Sequence, residues 1–247
     1  MSTHEQVTPE QATFAPDLFA GKVALVTGGA SGIGIAIVRQ LEAMGAEVIA
    51  AGLPPFADGA GRMRELDVCS DGSVAALIDG MPRLDILVNC AGINLRNAEH
   101  DPEVFSKTLA VNLTGTMRMC SASRALLKAG GGCIVNLASM NSFFGAALAP
   151  GYASSKGGVA QLTKSLAIAY AADGIRVNAV APGYIATPLT RSLQEDAGRT
   201  QEIVKRTPMA RWGSAEDVAP VVAFLCSQAA GFMTGAIVPV DGGYMVA

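Results

Sequence analysis

The sequence predicts an α/β fold, a doubly wound parallel sheet of seven strands flanked by helices. Three observations point to it. Short β-branched and aliphatic runs alternate with stretches of helical period along the chain. The first run passes straight into a glycine-rich turn and then a helix. Small and polar residues gather just after several strand ends, the side of an open parallel sheet on which ligands bind.

Lys22 to Thr27 (KVALVT) is the first strand, and GGASGIG leads from it into a helix marked by Ile35, Ala36, Val38, Leu41 and Met44. Gly28, Gly32 and Gly34 form a TGxxxGxG arrangement. One glycine permits the tight turn, another admits a phosphate to the backbone, and a third lets helix pack on strand. The free amides and positive end of that helix favour a pyrophosphate, so Ser31 and Ile33 join the glycines as candidate dinucleotide contacts.

Glu47 to Ala51 is the second strand, and its end should meet the adenosine ribose. A carboxylate there reads the 2′-hydroxyl of NAD, and an arginine accepts the 2′-phosphate of NADP. Gly52 and Leu53 do neither, while Arg62 or Arg64 could reach a phosphate or lie solvated. The choice between NAD and NADP stays open at this point.

Glu65 to Val68 reads as a third strand, with Asp67 and Val68 at its end placed to meet the adenine. Ser70 and Asp71 cap a helix reaching Gly80, and Leu84 to Asn89 is a buried strand. Asn89, Ala91 and Gly92 close that strand, and their small size suggests close approach of a cofactor. A long amphipathic helix from Asp101 carries Phe105, Leu109, Asn112, Leu113 and Thr116. Asn112 stands in the apolar stretch LAVNLTG, either as a satisfied core amide or as the holder of an ordered water.

Cys133 to Leu137 is the next strand, and Ser139 stands just beyond its end. A helix from about Pro150 then brings Tyr152 and Lys156 towards Ser139. Arg176 to Val180 is followed by APGYIATPL, in which Pro182 and Gly183 turn the chain. Ile185 and Thr187 follow on the ligand side, and Thr187 is the first hydroxyl able to meet a nicotinamide. Residues 188–211, between Pro188 and Pro208, are more polar and weakly periodic, as a flap over the site would be. Glu216 to Ser227 is a further helix and Ala236 to Asp241 the last strand. One catalytic domain is expected over residues 17–247, after a polar tail, residues 1–16, that lacks a signal-like apolar core.

Composition narrows the function. Charged residues are only 16 %, and the mean hydropathy is +0.36, so subunit contacts should cover much of the surface. The uncharged run Val218 to Val240 is long enough to span a bilayer. Pro220, Gly231, Gly235 and Pro239 break it, and it reads as a buried helix, a turn and a buried strand, so no membrane partner is expected. A net charge of -3 without a Lys/Arg cluster argues against nucleic acid. Cys69, Cys90, Cys120, Cys133 and Cys226 are odd in number and widely spaced, as in a reduced, cytoplasmic protein. Only His4 and His100 are available for a histidine metal site, and no metal is expected.

The stretch YASSK holds the chemistry. Tyr152 and Lys156 lie about 40° apart around a helix and can enter one cleft. Free tyrosine, with a pKa of about 10, exchanges protons poorly near neutrality. An ammonium one turn away favours the phenolate, and a fall of roughly 2 to 3 units corresponds to about 3 to 4 kcal/mol.

TGGASGIG, NCAG, the Asn112 helix, Ser139, YASSK and PGYIAT, in this order, resemble the short-chain dehydrogenase/reductase family in its compact, single-domain, Rossmann-type form. The resemblance runs from about Gly21 to Tyr244. It implies that Tyr152 is the general acid/base, that Ser139 holds the substrate oxygen, and that Lys156 lowers the tyrosine pKa and binds the nicotinamide ribose. It further implies that Asn112 anchors a water on the proton path and that Thr187 binds the carboxamide. The reaction is then hydride transfer between NAD or NADP and a substrate carbon, an alcohol and a ketone interconverting without metal. Cys90 stands where the family usually has a second asparagine, and homotetramers are the family's usual assembly.

Asn94, Met140, Asn141, Phe144, Tyr184, Leu189 and Trp212 are candidate pocket residues, apolar walls with a few amides. They favour a neutral hydroxy or keto compound such as a polyol, sugar or cyclic ketone. A 3-oxoacyl carrier-protein reductase is the enzymatic alternative, and Arg96, Arg191 and Arg199 are few for an acidic carrier. A catalytically silent dinucleotide-binding protein is the non-enzymatic one, against which stands the retention of both Tyr152 and Lys156.

Overall fold

The structure, a computed structural model, describes residues 13–54 and 62–247, Arg62 by its backbone alone. The strands are β1 (Val23–Thr27), β2 (Glu47–Gly52), β3 (Arg62–Glu65), β4 (Ile86–Asn89), β5 (Cys133–Leu137), β6 (Arg176–Pro182) and β7 (Ile237–Val240). All pair in parallel, in the order β3-β2-β1-β4-β5-β6-β7. The helices are α1 (Gly32–Ala43), α2 (Asp71–Asp79), α3 (Pro102–Leu109), α4 (Gly115–Gly130), α5 (Pro150–Tyr170), α6 (Arg191–Gln194), α7 (Ala197–Arg206) and α8 (Ala215–Cys226).

Helices on both faces explain why the central strands are apolar throughout instead of alternating. On one face Ile37 and Leu41 of α1 and Val218 and Val222 of α8 meet Ala24, Val26 and Val135. On the other, Met119 and Leu127 of α4 and Leu166 of α5 meet Leu25, Leu87 and Ile134. The connections reverse direction between β1 and β4, which opens a crevice at the carboxyl ends of those strands.

Three expectations shift. The third strand lies at Arg62–Glu65, so Asp67 and Val68 follow it instead of ending it. The Asp67 amide donates to Ser73 Oγ at 3.0 Å and its carboxylate accepts the Cys69 amide at 2.8 Å, a turn that feeds α2. The long helix from Asp101 is interrupted by a π-helical turn, Ala110–Thr114, whose buried Asn112 bonds across to Ile93. The flap holds α6 and α7. Ile203 is the buried residue of α7, and one buried position leaves little period to read.

Residues 1–12 of the expected tail and the Arg62 side chain lie outside the described residues. Phe14, within that tail, already packs on the first apolar layer. The run Val218 to Val240 resolves into α8, a short turn and β7. No helix among the described residues is long and apolar enough to cross a membrane.

Candidate active site

The glycine turn between β1 and α1 is set by close packing. The Gly28 amide donates to the Ala51 carbonyl at 2.7 Å, and Gly28 adopts φ +67° with its Cα face against Ala91. A Cβ on Gly34 would fall 2.1 Å from the Gly28 carbonyl oxygen, so only glycine lets α1 start there. Ser31 caps α1 without a side-chain bond to its amides. Those amides face a groove of ≈ 320 Å³ lined by Gly28, Ser31, Gly32, Ile33, Gly34 and Gly92 among others. Backbone donors at a helix N-terminus in a cradle that a Cβ would fill suit a pyrophosphate, so the residues present fit a dinucleotide.

A second cavity, of ≈ 100 Å³, continues from this groove and collects the candidate catalytic groups. Ser139, Tyr152 and Lys156 line it together with Ile33, Cys90, Gly92, Pro182, Gly183, Ile185, Thr187 and Leu189. Ser139 ends the connection from β5 and its Oγ accepts the Asn141 amide at 3.2 Å. Ser142 Oγ donates to the Lys156 carbonyl at 2.7 Å, which ties the Ser139 turn to α5. Thr187 caps the short turn Pro188–Thr190, where its amide donates to Thr190 Oγ1 at 3.1 Å.

Lys156 is buried and its Nζ donates to the Leu137 carbonyl at 2.6 Å. Burial brings its pKa down to about 8. Its Nζ stands 5.6 Å from the centroid of the Tyr152 ring. The fall expected for the tyrosine is overridden. Burial pushes the Tyr152 phenol up to about 12, against a lowering by its hydrogen bond with Ser139, and the charges of Cys90 and Glu99 raise it further. Spacing along a helix reveals the lysine neighbour but not the burial that raises the phenol.

Asn112 is a fully engaged amide. Its Oδ1 accepts the Ile93 amide at 2.8 Å, and its Nδ2 donates to the Ile93 carbonyl at 2.9 Å and to Ser155 Oγ at 3.0 Å. It lies directly behind Gly92, where a Cβ would come within 3.2 Å of its Oδ1. The Asn89 side chain is buried, donating to Asn136 Oδ1 at 2.9 Å and Cys120 Sγ at 3.2 Å, and Asn89 lines neither cavity. Ala91 meets Gly28 through its backbone. Val68 is buried, with its carbonyl on Arg118, and Asp67 adjoins it after β3. Arg64 is exposed and pairs in register with Ala51, one residue before Gly52.

The candidate pocket residues divide. Tyr184 packs edge-on to both Trp212 and Tyr244, with ring centroids 5.5 and 5.2 Å apart. Leu189 reaches the catalytic cavity, whereas Met140 is buried beside Ser139. Asn94 Oδ1 and Trp212 Nε1 are buried without a protein partner. The sequence reading passed over Arg206, whose guanidinium stacks on Tyr244 at 4.3 Å and on Phe144 at 5.4 Å. It also passed over Glu99, a buried acid whose carboxylate accepts the Tyr152 amide at 2.7 Å. A lone acidic residue in a polar loop carries no local signal of that contact.

Known proteins match this geometry. The family model described as enoyl-(acyl carrier protein) reductase, one of the short-chain dehydrogenase models, matches residues 28–245. Cis-4-hydroxycyclohexanecarboxylate dehydrogenase of Sinomonas cyclohexanicum is 42 % identical over 92 % of this chain and 98 % of its own length. The 2-dehydro-3-deoxy-D-gluconate 5-dehydrogenase of Bacillus subtilis is 40 % identical over 91 % of this chain and 95 % of its own. Among solved structures, a gluconate 5-dehydrogenase from Burkholderia cenocepacia J2315, in complex with NADP and tartrate, superposes with a TM-score of 0.87. It is 33 % identical and the match covers 94 % of this chain and 99 % of that one. The chain therefore belongs to the short-chain dehydrogenase/reductase family, and is an NAD(P)-dependent oxidoreductase acting on CH–OH groups.

Proposed function

We propose that this enzyme interconverts a secondary alcohol and a ketone on a small hydroxy or keto acid, with Tyr152 as general acid and base. The observation that carries the reading is the convergence of Ser139, Tyr152 and Lys156, from two separate elements, on one cavity with Gly92, Pro182 and Thr187. In reduction the Tyr152 phenol, protonated at neutral pH, gives its proton to the carbonyl oxygen that Ser139 holds beside it. In oxidation the phenolate takes that proton back. Lys156 favours the phenolate as it forms, and its burial strengthens that interaction. Asn112 contributes by position, clamping the loop at Ile93 and α5 at Ser155, so that the floor of the proton path is fixed.

The bound nicotinamide supplies the hydride in one direction and accepts it in the other. The turn from Gly28 to Gly34 would hold its pyrophosphate, Asp67 and Val68 the adenine, the backbone from Asn89 to Gly92 the sugar, and Pro182 to Thr187 with Lys156 the nicotinamide end.

Two relatives take carboxylate-bearing substrates by name, which supports the acid. Arg206, held on Phe144 and Tyr244, is a cation suited to that carboxylate. The Asn94 Oδ1 and Trp212 Nε1 atoms are buried without a protein partner, and would meet substrate hydroxyls only once the loops around them open. Met140 packs behind Ser139 and Asn141 follows it, while the flap brings Leu189 to the cavity.

We assign residues 17–247 to one catalytic domain and the protein to homotetramers in the cytoplasm. Exposed Ile168, Phe232 and Val246 support subunit contacts, and the free cysteines suit a reducing compartment. Tyr152→Phe tests the chemistry. It should lose turnover by about 100-fold or more while titrating with NADPH or NADH as the parent does. Retained turnover would refute the role.

A further inference from the structure

Glu99 is 1 % exposed, and no cation pairs with it among the described residues. A lone buried acid is costly unless its contacts return that cost. Its Oε2 accepts the Tyr152 amide at 2.7 Å, and its Oε1 accepts the Leu95 amide at 2.9 Å and the Thr108 hydroxyl at 3.3 Å. Those partners lie on α5, on the loop after β4 that carries Asn94, and on α3.

The α5 terminus needs such a partner. Pro150 occupies its first turn, and Ala149 caps it without a side-chain bond. The Tyr152 amide would otherwise stand unpaired at the positive end of the helix. The helix has also been kept close to the acid, since a Cβ on Gly151 would come 3.2 Å from Glu99 Oε2.

We propose that Glu99 is a positioning residue for the reaction, its carboxylate clamping the first turn of the Tyr152 helix to the loop that lines the substrate pocket. This rests on Tyr152 being the acid/base. Glu99 never touches the phenol, but its charge reaches it. Glu99 and Cys90 oppose ionisation of Tyr152, Ser139 favours it through a hydrogen bond, and Lys156 stands 5.6 Å from the ring.

The test compares kcat, KM, cofactor affinity and the pH profile of alcohol oxidation in Glu99→Gln and Glu99→Asp. Glu99→Gln keeps the size but loses the charge, and sets an amide donor against one of two backbone donors. It should lower kcat by about tenfold or more, leave cofactor affinity within about twofold, and move the alkaline rise of oxidation to lower pH. Glu99→Asp keeps the charge but is a methylene short of spanning Tyr152 and Leu95, and should lower kcat without moving the profile. A parental kcat and an unmoved profile in Glu99→Gln would overturn the proposal, as would parallel loss of cofactor binding and kcat in both variants. Should Glu99→Gln fail to fold, Gly151→Ala takes its place. It pushes the helix off the carboxylate and should lower kcat with cofactor binding kept, and an unchanged kcat there also overturns the proposal. An active Tyr152→Phe breaks the acid/base reading itself. An inactive Tyr152→Phe beside a fully active Glu99→Gln breaks only this one.

Discussion

The Lys156 ammonium donates to the Leu137 carbonyl at 2.6 Å, anchoring a buried charge to the end of a strand rather than to an acid. Burial takes its pKa from 10.5 to about 8. Between those values the unfolded chain holds a proton that the native protein has lost, so stability rises as pH climbs from about 8 towards 10.5. Below about pH 8 the full penalty, about 3 kcal/mol, is present. Lys156→Met should abolish turnover, yet be more stable than the parent near neutrality and lack the rise. Urea midpoints measured on both sides of about pH 8 check this, and a parallel rise in the variant would place its source elsewhere.

With Tyr152 as the proposed acid and base, its raised pKa, about 12, would separate the two directions of reaction. The phenol is protonated throughout the neutral range, so ketone reduction should vary little across it. Alcohol oxidation needs the phenolate and should climb by up to about tenfold per pH unit, rounding above about pH 8 as Lys156 loses its charge. A pH profile of kcat in each direction tests this, and an oxidation rate independent of pH would remove Tyr152 as the base.

Gly34 and Gly145 form a matched pair. A Cβ at Gly34 meets the Gly28 oxygen at 2.1 Å, whereas one at Gly145 meets nothing within 4 Å. Gly34→Ala should cost about 2 kcal/mol or more and abolish dinucleotide binding, while Gly145→Ala stays within about 0.5 kcal/mol of the parent. Thermal unfolding with and without NADPH reads both.

At the end of β2, Gly52 has room for a side chain, since an added Cβ would approach only the Gly28 Cα, at 3.9 Å. Without a carboxylate there, nothing at that position repels a 2′-phosphate. Gly52→Asp should therefore weaken NADPH by about tenfold or more and spare NADH. Equal loss of both cofactors would mean that the ribose lies elsewhere.

Much of this site could be read before the fold was known, because its signals are local. The glycines of the first turn, Ser139 past a strand end, and the Tyr152 and Lys156 pair each sit within one strand–loop–helix unit. What could not be read depends on distance. Glu99 meets a partner 53 residues away, and Asn89 bonds to Asn136, 47 residues on. The π-helical turn around Asn112 coincides with its bonds to Ile93, contacts that no helical period encodes. The phenol pKa failed for a related reason. Its neighbour is local, but its burial is supplied by the whole fold.

Arg206 shows how such distant contacts bear on substrate choice. It ends α7 in the flap, yet its guanidinium lies on Phe144, which follows the Ser139 turn, and on Tyr244 near the C-terminus. Those rings tie the cation of the flap to the segment after Ser139 and to the C-terminal turn, and if a substrate carboxylate binds Arg206 as proposed, flap closure and carboxylate binding would be one event. Arg206→Ala should raise KM for 4-hydroxycyclohexanecarboxylate by about tenfold or more while leaving kcat/KM for 4-methylcyclohexanol within about twofold. Lysine at this position should restore only part of the loss, since it keeps the charge but not the planar stack. Equal effects on the acid and the neutral alcohol would show that Arg206 holds the flap rather than the substrate.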